Sequence, residues 1–239
     1  MNALIKGLNI NYQIIGEGKP LLILHGWGSR SEKWQGVGEL LSKKWLKVII
    51  PDLPGFGNSQ KPSSPWGLDD YCNFIEEFIK FLNLDKFFLL GHSFGGALAV
   101  KCSLKFPEKI DKLFLIGAAC IRKKNFKVRL LKFISKIFKS PPFFIKKVFY
   151  RKSDYFSVEG VIKETYLKII KEDLTDILSQ VWIPTIIIWG KEDNTTPIKH
   201  ACLIRSKINN SKLEIMPGVS HSPHLEAPEK LAEIITKFL

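Results

Sequence analysis

Ser93 stands between two glycines in Gly91-His92-Ser93-Phe94-Gly95, directly after the apolar run Phe87-Phe88-Leu89-Leu90 and directly before the small-residue stretch Gly96-Ala97-Leu98-Ala99-Val100. A serine at such a strand-to-helix hinge is forced into a sharp turn that presents its hydroxyl above the sheet edge. The N–H of Phe94 and a helix N-terminus then lie beneath it. Glycine suits the flanking positions because a Cβ there would meet the neighbouring strand or helix. The five letters alone are weak, and the strand before and helix after them make the pattern specific. The chemistry on offer is nucleophilic attack.

A serine hydroxyl at its ordinary pKa is a poor nucleophile, so it needs a base, and the base needs an acid to orient it. Asp193 follows the apolar run Thr185 to Trp189 in Trp189-Gly190-Lys191-Glu192-Asp193. His221 follows the run Lys212 to Met216 in Gly218-Val219-Ser220-His221. Both fall at strand C-termini, the edge where open parallel sheets bind ligands. Glu192 is the alternative acid and His224 the alternative base or a pocket residue. The loop Gly117-Ala118-Ala119-Cys120 offers no carboxylate. His92 should point away from the hydroxyl and serve packing or hydrogen bonding, and His25 should hold the turn before Trp27. His200 reads as a surface residue of an amphipathic helix. The oxyanion formed by attack needs donors; Phe94 N–H is one, and Trp27 N–H in His25-Gly26-Trp27-Gly28 is the other.

These residues need a scaffold. Residues 4–15 read as a hairpin turning at Gly7-Leu8-Asn9, Gly16 to Pro20 as a turn, and Leu21 to Leu24 as a buried strand. Ser31 to Ser42 is predicted helical, Lys47 to Pro51 a strand, and Leu68 to Leu84 a helix, with apolar residues at 71, 74, 75, 78, 79 and 82. Strand 86–90, helix 94–105 and strand Lys112 to Ile116 follow. After Ile183 come strand Thr185 to Trp189, helix Ile198 to Ile208, strand Lys212 to Met216 and helix Pro228 to Leu239. Strands alternating with helices predict a mostly parallel sheet covered on both faces. With 45% apolar residues among 239, the chain can bury a full core. Its four cysteines form no C-x-x-C pair, so neither a metal nor a disulfide framework is expected, and Cys72, Cys102 and Cys202 read as packing residues. No secretory signal and no run long enough to span a membrane is evident, which points to the cytoplasm.

With Asp52-Leu53-Pro54-Gly55-Phe56-Gly57-Asn58-Ser59 added to these motifs, the chain resembles the α/β-hydrolase fold superfamily. The resemblance implies an α/β fold with an eight-stranded, mostly parallel sheet whose first strands are antiparallel. It also implies helices on both faces and a helical cap inserted after strand six. Residues 1–119 and 183–239 then form the core and 120–182 the cap. Members with this pattern hydrolyse esters, thioesters, lactones, amides or certain carbon–carbon bonds, using Ser, Asp or Glu, and His in that chain order and no cofactor. Haloalkane dehalogenases and epoxide hydrolases carry Asp where Ser93 stands, and carbon–carbon hydrolases often carry Asn where His92 stands.

Residues 120–182 break the alternation and read as helices alone. Residues 122–152 carry Lys and Arg but no acidic residue, and nearly all of the net charge of +13 can be assigned there. Phe126, Phe133 and neighbours at helical spacing form one apolar face, and Phe144 belongs to a second set. A further helix spans roughly Val158 to Lys171. The expected cap is a basic outer face over an apolar roof, with His25, His92, Phe126, Phe133, Phe144 and His224 as candidate pocket residues. The expected substrate is a small-molecule ester. The basic face also suits an anionic acyl carrier or a coenzyme A thioester, as in the carrier-protein methyl ester esterases this chain is similar to, although their usual elbow has Trp where His92 is. An anionic membrane surface is a third reading. Nucleic acid is not expected, because no binding motif accompanies the charge. A ligand receptor on the same fold is the alternative outside enzymology.

Overall fold

The structure, a computed structural model, describes residues 1–122 and 160–239. The segments that held the cap phenylalanines Phe126, Phe133 and Phe144 in the sequence reading, with the basic stretch beyond Arg122, lie outside the described residues.

Eight strands form one sheet: β1 (Asn2–Ile5), β2 (Leu8–Ile15), β3 (Lys19–Leu24), β4 (Leu46–Pro51), β5 (Phe87–His92), β6 (Ile110–Ile116), β7 (Thr185–Gly190) and β8 (Ser211–Met216). Their spatial order is β1-β2-β4-β3-β5-β6-β7-β8. β1 and β2 pair antiparallel, as do β2 and β4, and every later pair is parallel. The central strands read as continuous apolar runs because each face meets a separate layer. Leu22, Leu24, Leu89, Leu113, Leu115 and Ile187 pack into one core, with residues from α2 (Leu68–Phe81), α3 (Phe94–Lys105) and a later helix, Ile198–Lys207. Their alternate neighbours Leu21, Ile23, Leu90, Phe114, Ile116, Ile186 and Ile188 pack into the other. That core contains α1 (Gln35–Ser42) and the final helix, Pro228–Lys237.

Between β6 and β7 the described chain holds α4 (Val161–Ile169), inside the span expected for a helix there. It and the turn that follows it are tied to the core by the N–H of Trp66 to Thr165 Oγ1 at 3.0 Å, Leu68 N–H to Glu172 Oε1 at 2.8 Å, and Lys168 Nζ to the Pro65 carbonyl at 2.7 Å. After β7 come α5 (Ile198–Lys207), α6 (Pro223–Glu226) and α7 (Pro228–Lys237). Among the described residues no helix is long and apolar enough to cross a membrane.

Local expectations need correction in four places. The first hairpin turns at Lys6-Gly7, both at positive φ (50° and 75°), so Ile5 pairs directly with Leu8 and Asn9 is already in β2. β3 starts at Lys19, whose N–H donates to the Trp45 carbonyl at 3.0 Å, so Lys19 and Pro20 belong to the strand and not to a turn. Ser31–Trp34 is a 3₁₀ turn preceding α1. On α5 the expected assignments are reversed: His200 is buried beside Ala201 and Ile204, whereas Cys202 is exposed. All four cysteines are free.

Candidate active site

β5 ends at His92 and α3 begins at Phe94, leaving Ser93 a single residue in which to reverse direction. Its φ of 53° and ψ of −114° lie where a non-glycine residue is strained, at a cost on the order of 1–3 kcal/mol. The strain is held by backbone bonds. Ser93 N–H donates to the Ile116 carbonyl at 2.9 Å, and the Ser93 carbonyl accepts from Gly96 at 3.0 Å and Ala119 at 2.9 Å. The glycines are required by close approach. A Cβ on Gly91 would lie 2.2 Å from the Gly95 carbonyl oxygen, and one on Gly95 would lie 2.1 Å from that of Leu24.

The loops after β7 and β8 bring Asp193 and His221 to this turn. His221 Nδ1–H donates to Asp193 Oδ2 at 2.7 Å, and His221 Nε2 faces Ser93 Oγ at 3.0 Å. Asp193 is buried and well supplied with donors. Its Oδ1 accepts the N–H groups of Thr195 and Thr196, each at 2.8 Å, and Thr196 Oγ1 donates to Oδ2 at 2.7 Å. Burial alone would raise the Asp193 carboxyl, but the bonds from His221 and Thr196 outweigh it and hold the pKa below the usual value. Glu192, the alternative acid, is exposed and engages the Val219 carbonyl through its N–H at 3.1 Å.

The other histidines hold the frame. His92 Nε2–H donates to the His221 carbonyl at 2.8 Å, so the residue beside Ser93 grips the backbone of the residue facing it. Burial, then the neighbouring His221, pulls the pKa of His92 down to about 4. His224 stacks flat on Trp34 at 4.2 Å, and burial followed by the nearby histidines lowers it to about 2. Both rings are therefore neutral near pH 7. His25 donates from Nδ1 to the Gly26 carbonyl at 2.8 Å and accepts the Leu53 N–H on Nε2 at 3.0 Å, holding the turn as expected. Among the described residues, it is not one of those lining the cleft beside Ser93.

That cleft, about 370 Å³, is lined by residues 26–30, Lys33, His92, Ser93, Thr195, His221, Ser222, His224 and Leu225. On another side the Trp27 ring meets Phe56 at 4.8 Å, Tyr166 at 5.1 Å and Phe94 at 5.5 Å, forming an aromatic wall. As the first residue of α3, Phe94 has an N–H without a partner inside the helix. Among the described residues no group of three or more His, Cys, Asp or Glu is placed to hold a metal.

Sequence reasoning missed Thr196 and Glu226. Glu226 accepts from the N–H of Ser220 at 2.7 Å, from Ser220 Oγ at 2.6 Å and from the N–H of Ser222 at 3.0 Å, bracketing His221. Asp193 followed by Thr195 and Thr196 is a side-chain-to-backbone turn pattern, which was a readable signal. Glu226 gave none.

A family model described as the alpha/beta hydrolase fold matches residues 19–139, more than half of the chain. The chain belongs to the alpha/beta hydrolase fold family. Within that family it is 29% identical over 251 residues to a pimeloyl-[acyl-carrier protein] methyl ester esterase of Legionella pneumophila, covering 97% of this chain and 100% of that protein. It is 25% identical over 256 residues to a 2-hydroxy-6-oxo-6-(2'-aminophenyl)hexa-2,4-dienoic acid hydrolase of Metapseudomonas resinovorans, covering 98% and 88% respectively. Among solved structures, the esterase EaEST of Exiguobacterium antarcticum superposes with a TM-score of 0.80 at 25% identity, over 100% of this chain and 98% of that one.

Proposed function

We propose that this alpha/beta hydrolase is a carboxylic ester hydrolase acting through an acyl-enzyme on Ser93. The observation that carries the reading is the unbroken line from Asp193 Oδ2 through the His221 ring to Ser93 Oγ, at 2.7 and 3.0 Å. Ser93 Oγ attacks the ester carbonyl while His221 Nε2 takes its proton, and Asp193 orients and stabilises the charged imidazole. The N–H groups of Phe94 and Trp27 hold the developing oxyanion, each worth on the order of 10²–10³ in rate. His221 then protonates the leaving alcohol, and water, deprotonated by the same ring, releases the acid.

In this proposal residues 120–182 form the cap. The sequence of 122–152, basic and without an acidic residue, supports an ester whose acyl part is borne by an acyl carrier as the physiological substrate, since the Legionella relative is named as a carrier-protein methyl ester esterase. Carbon–carbon bond hydrolysis is the other chemistry found among relatives. Four free thiols support a reducing, cytoplasmic setting.

Turnover of p-nitrophenyl butyrate by the wild type, and its loss by at least 10³-fold in Ser93→Ala with the fold intact, is the expected result. Equal turnover by the mutant would sink the mechanism, and a receptor would show none in either protein. A panel of chain lengths, acyl thioesters and a dienoate carbon–carbon substrate separates the remaining chemistries by kcat/KM.

A further inference from the structure

Resting on that esterase reading, we infer that the cleft beside His221 receives a leaving group that carries a single negative charge, a carboxylate, with Lys33 as its counter-ion.

The direction follows from proton transfer. A leaving oxygen can be protonated only within hydrogen-bond reach of His221 Nε2. Whatever is attached to that oxygen therefore extends into the space walled by His221, Ser222, His224 and Leu225. A cleft of about 370 Å³ has room for a small organic acid. The acyl side, by contrast, faces the aromatic wall of Trp27, Phe56 and Tyr166.

The charge follows from the lining. Among the described residues its charged side chains outside the Ser93–His221 pair are Arg30 and Lys33, and no carboxylate lines it. Arg30 is already engaged by Glu32, Nε to Oε2 at 2.8 Å. Lys33 has no acidic partner within ion-pair distance among the described residues. The floor has the opposite character. Because His92 Nε2–H is spent on the His221 carbonyl, its Nδ1 is a bare acceptor, buried and without a hydrogen-bond partner. An anion on that floor would face a lone pair, so the charge belongs at the mouth, beside Lys33, and His92 Nδ1 is left for a donor such as water. One ammonium without an acidic partner among the described residues matches one negative charge; a phosphate dianion would remain half compensated.

Two chromogenic butyrates differing only in the leaving group test this: 4-nitrophenyl butyrate and 3-carboxy-4-nitrophenyl butyrate. The readout is the ratio of kcat/KM for the carboxylated over the neutral ester in the full-length wild type, Lys33→Ala and Lys33→Glu. Lys33 is exposed, so neither substitution threatens the fold. The ratio should fall about tenfold in Lys33→Ala, through KM, and further in Lys33→Glu. Raising salt from about 0.05 to 0.5 M should erode the wild-type ratio and leave that of Lys33→Ala nearly fixed. A ratio equal within twofold in all three proteins, with the neutral ester still turned over, overturns this inference alone. No turnover of either ester by the wild type overturns the esterase reading and this inference with it.

Discussion

Ser93 and His221 meet at 3.0 Å but arrive there by different means. Ser93 is fixed by contact: β3, β5 and α3 approach so closely at Gly91 and Gly95 that an added methyl would sit about 2 Å from a carbonyl oxygen. His221 and Asp193 sit on loops and are fixed by hydrogen bonds, from Thr196 and Thr195 to the acid, from Glu226 to the His221 loop, and from His92 to the His221 backbone. A region defined by contact has no slack and should fail abruptly. One defined by several bonds should lose function in steps, one bond at a time.

The abrupt side can be broken with one methyl. Gly95→Ala should cost about 3 kcal/mol or more, because its Cβ meets the backbone oxygens of Leu24 and His25 and neither is the end of a flexible side chain. Denaturant unfolding measures this, and a midpoint equal to the wild type would show that the elbow has slack after all.

The stepwise side is sharpened by Thr196→Val, which removes one donor from the buried Asp193 and keeps the volume. Two backbone N–H bonds and the His221 bond remain. A hydrogen bond to a charged group is worth about 1.5–3 kcal/mol, so kcat should drop on the order of tenfold to a hundredfold without unfolding. A loss as large as that of Ser93→Ala would mean that the acid has no redundancy.

The smallest effect concerns His92, which bridges the two sides. Its folded pKa of about 4 lies below the 6.5 of the unfolded chain. Unfolding therefore takes up a proton below pH 6.5. Stability is full above that value and is lost as the pH falls toward 4. His92 alone should remove about 2 kcal/mol between pH 7.5 and 5. His92→Gln keeps a donor for the His221 carbonyl but cannot titrate, so its unfolding free energy should fall less over the same range. An identical slope in both proteins would assign the acid sensitivity elsewhere.

The same contrast governs what was legible in the sequence. The sheet and elbow could be read because strands buried on both faces must be apolar throughout and because close backbone approach demands glycine. Asp193 and His221 could be read because they follow such strands directly. Thr196 and Glu226 act through loop geometry, which the order of residues signals only weakly. α5 misled because it is apolar over a narrow stripe. Burial of His200 with Ala201 and Ile204 turns Cys202 outward, and periodicity alone did not choose that face. The first hairpin misled because Lys6 adopts a positive φ beside Gly7, a demand no side chain at position 6 announces.

The nucleophile itself can be identified by covalent capture. A fluorophosphonate should add one phosphonyl group to the wild-type chain, with fluoride leaving and the new P–O bond at Ser93 Oγ, and peptide mass spectrometry should place it on the peptide containing Ser93. Ester turnover should disappear in proportion to labelling, and Ser93→Ala should remain unlabelled. Labelling at another residue, or full labelling at Ser93 with turnover undiminished, would contradict Ser93 as the attacking group.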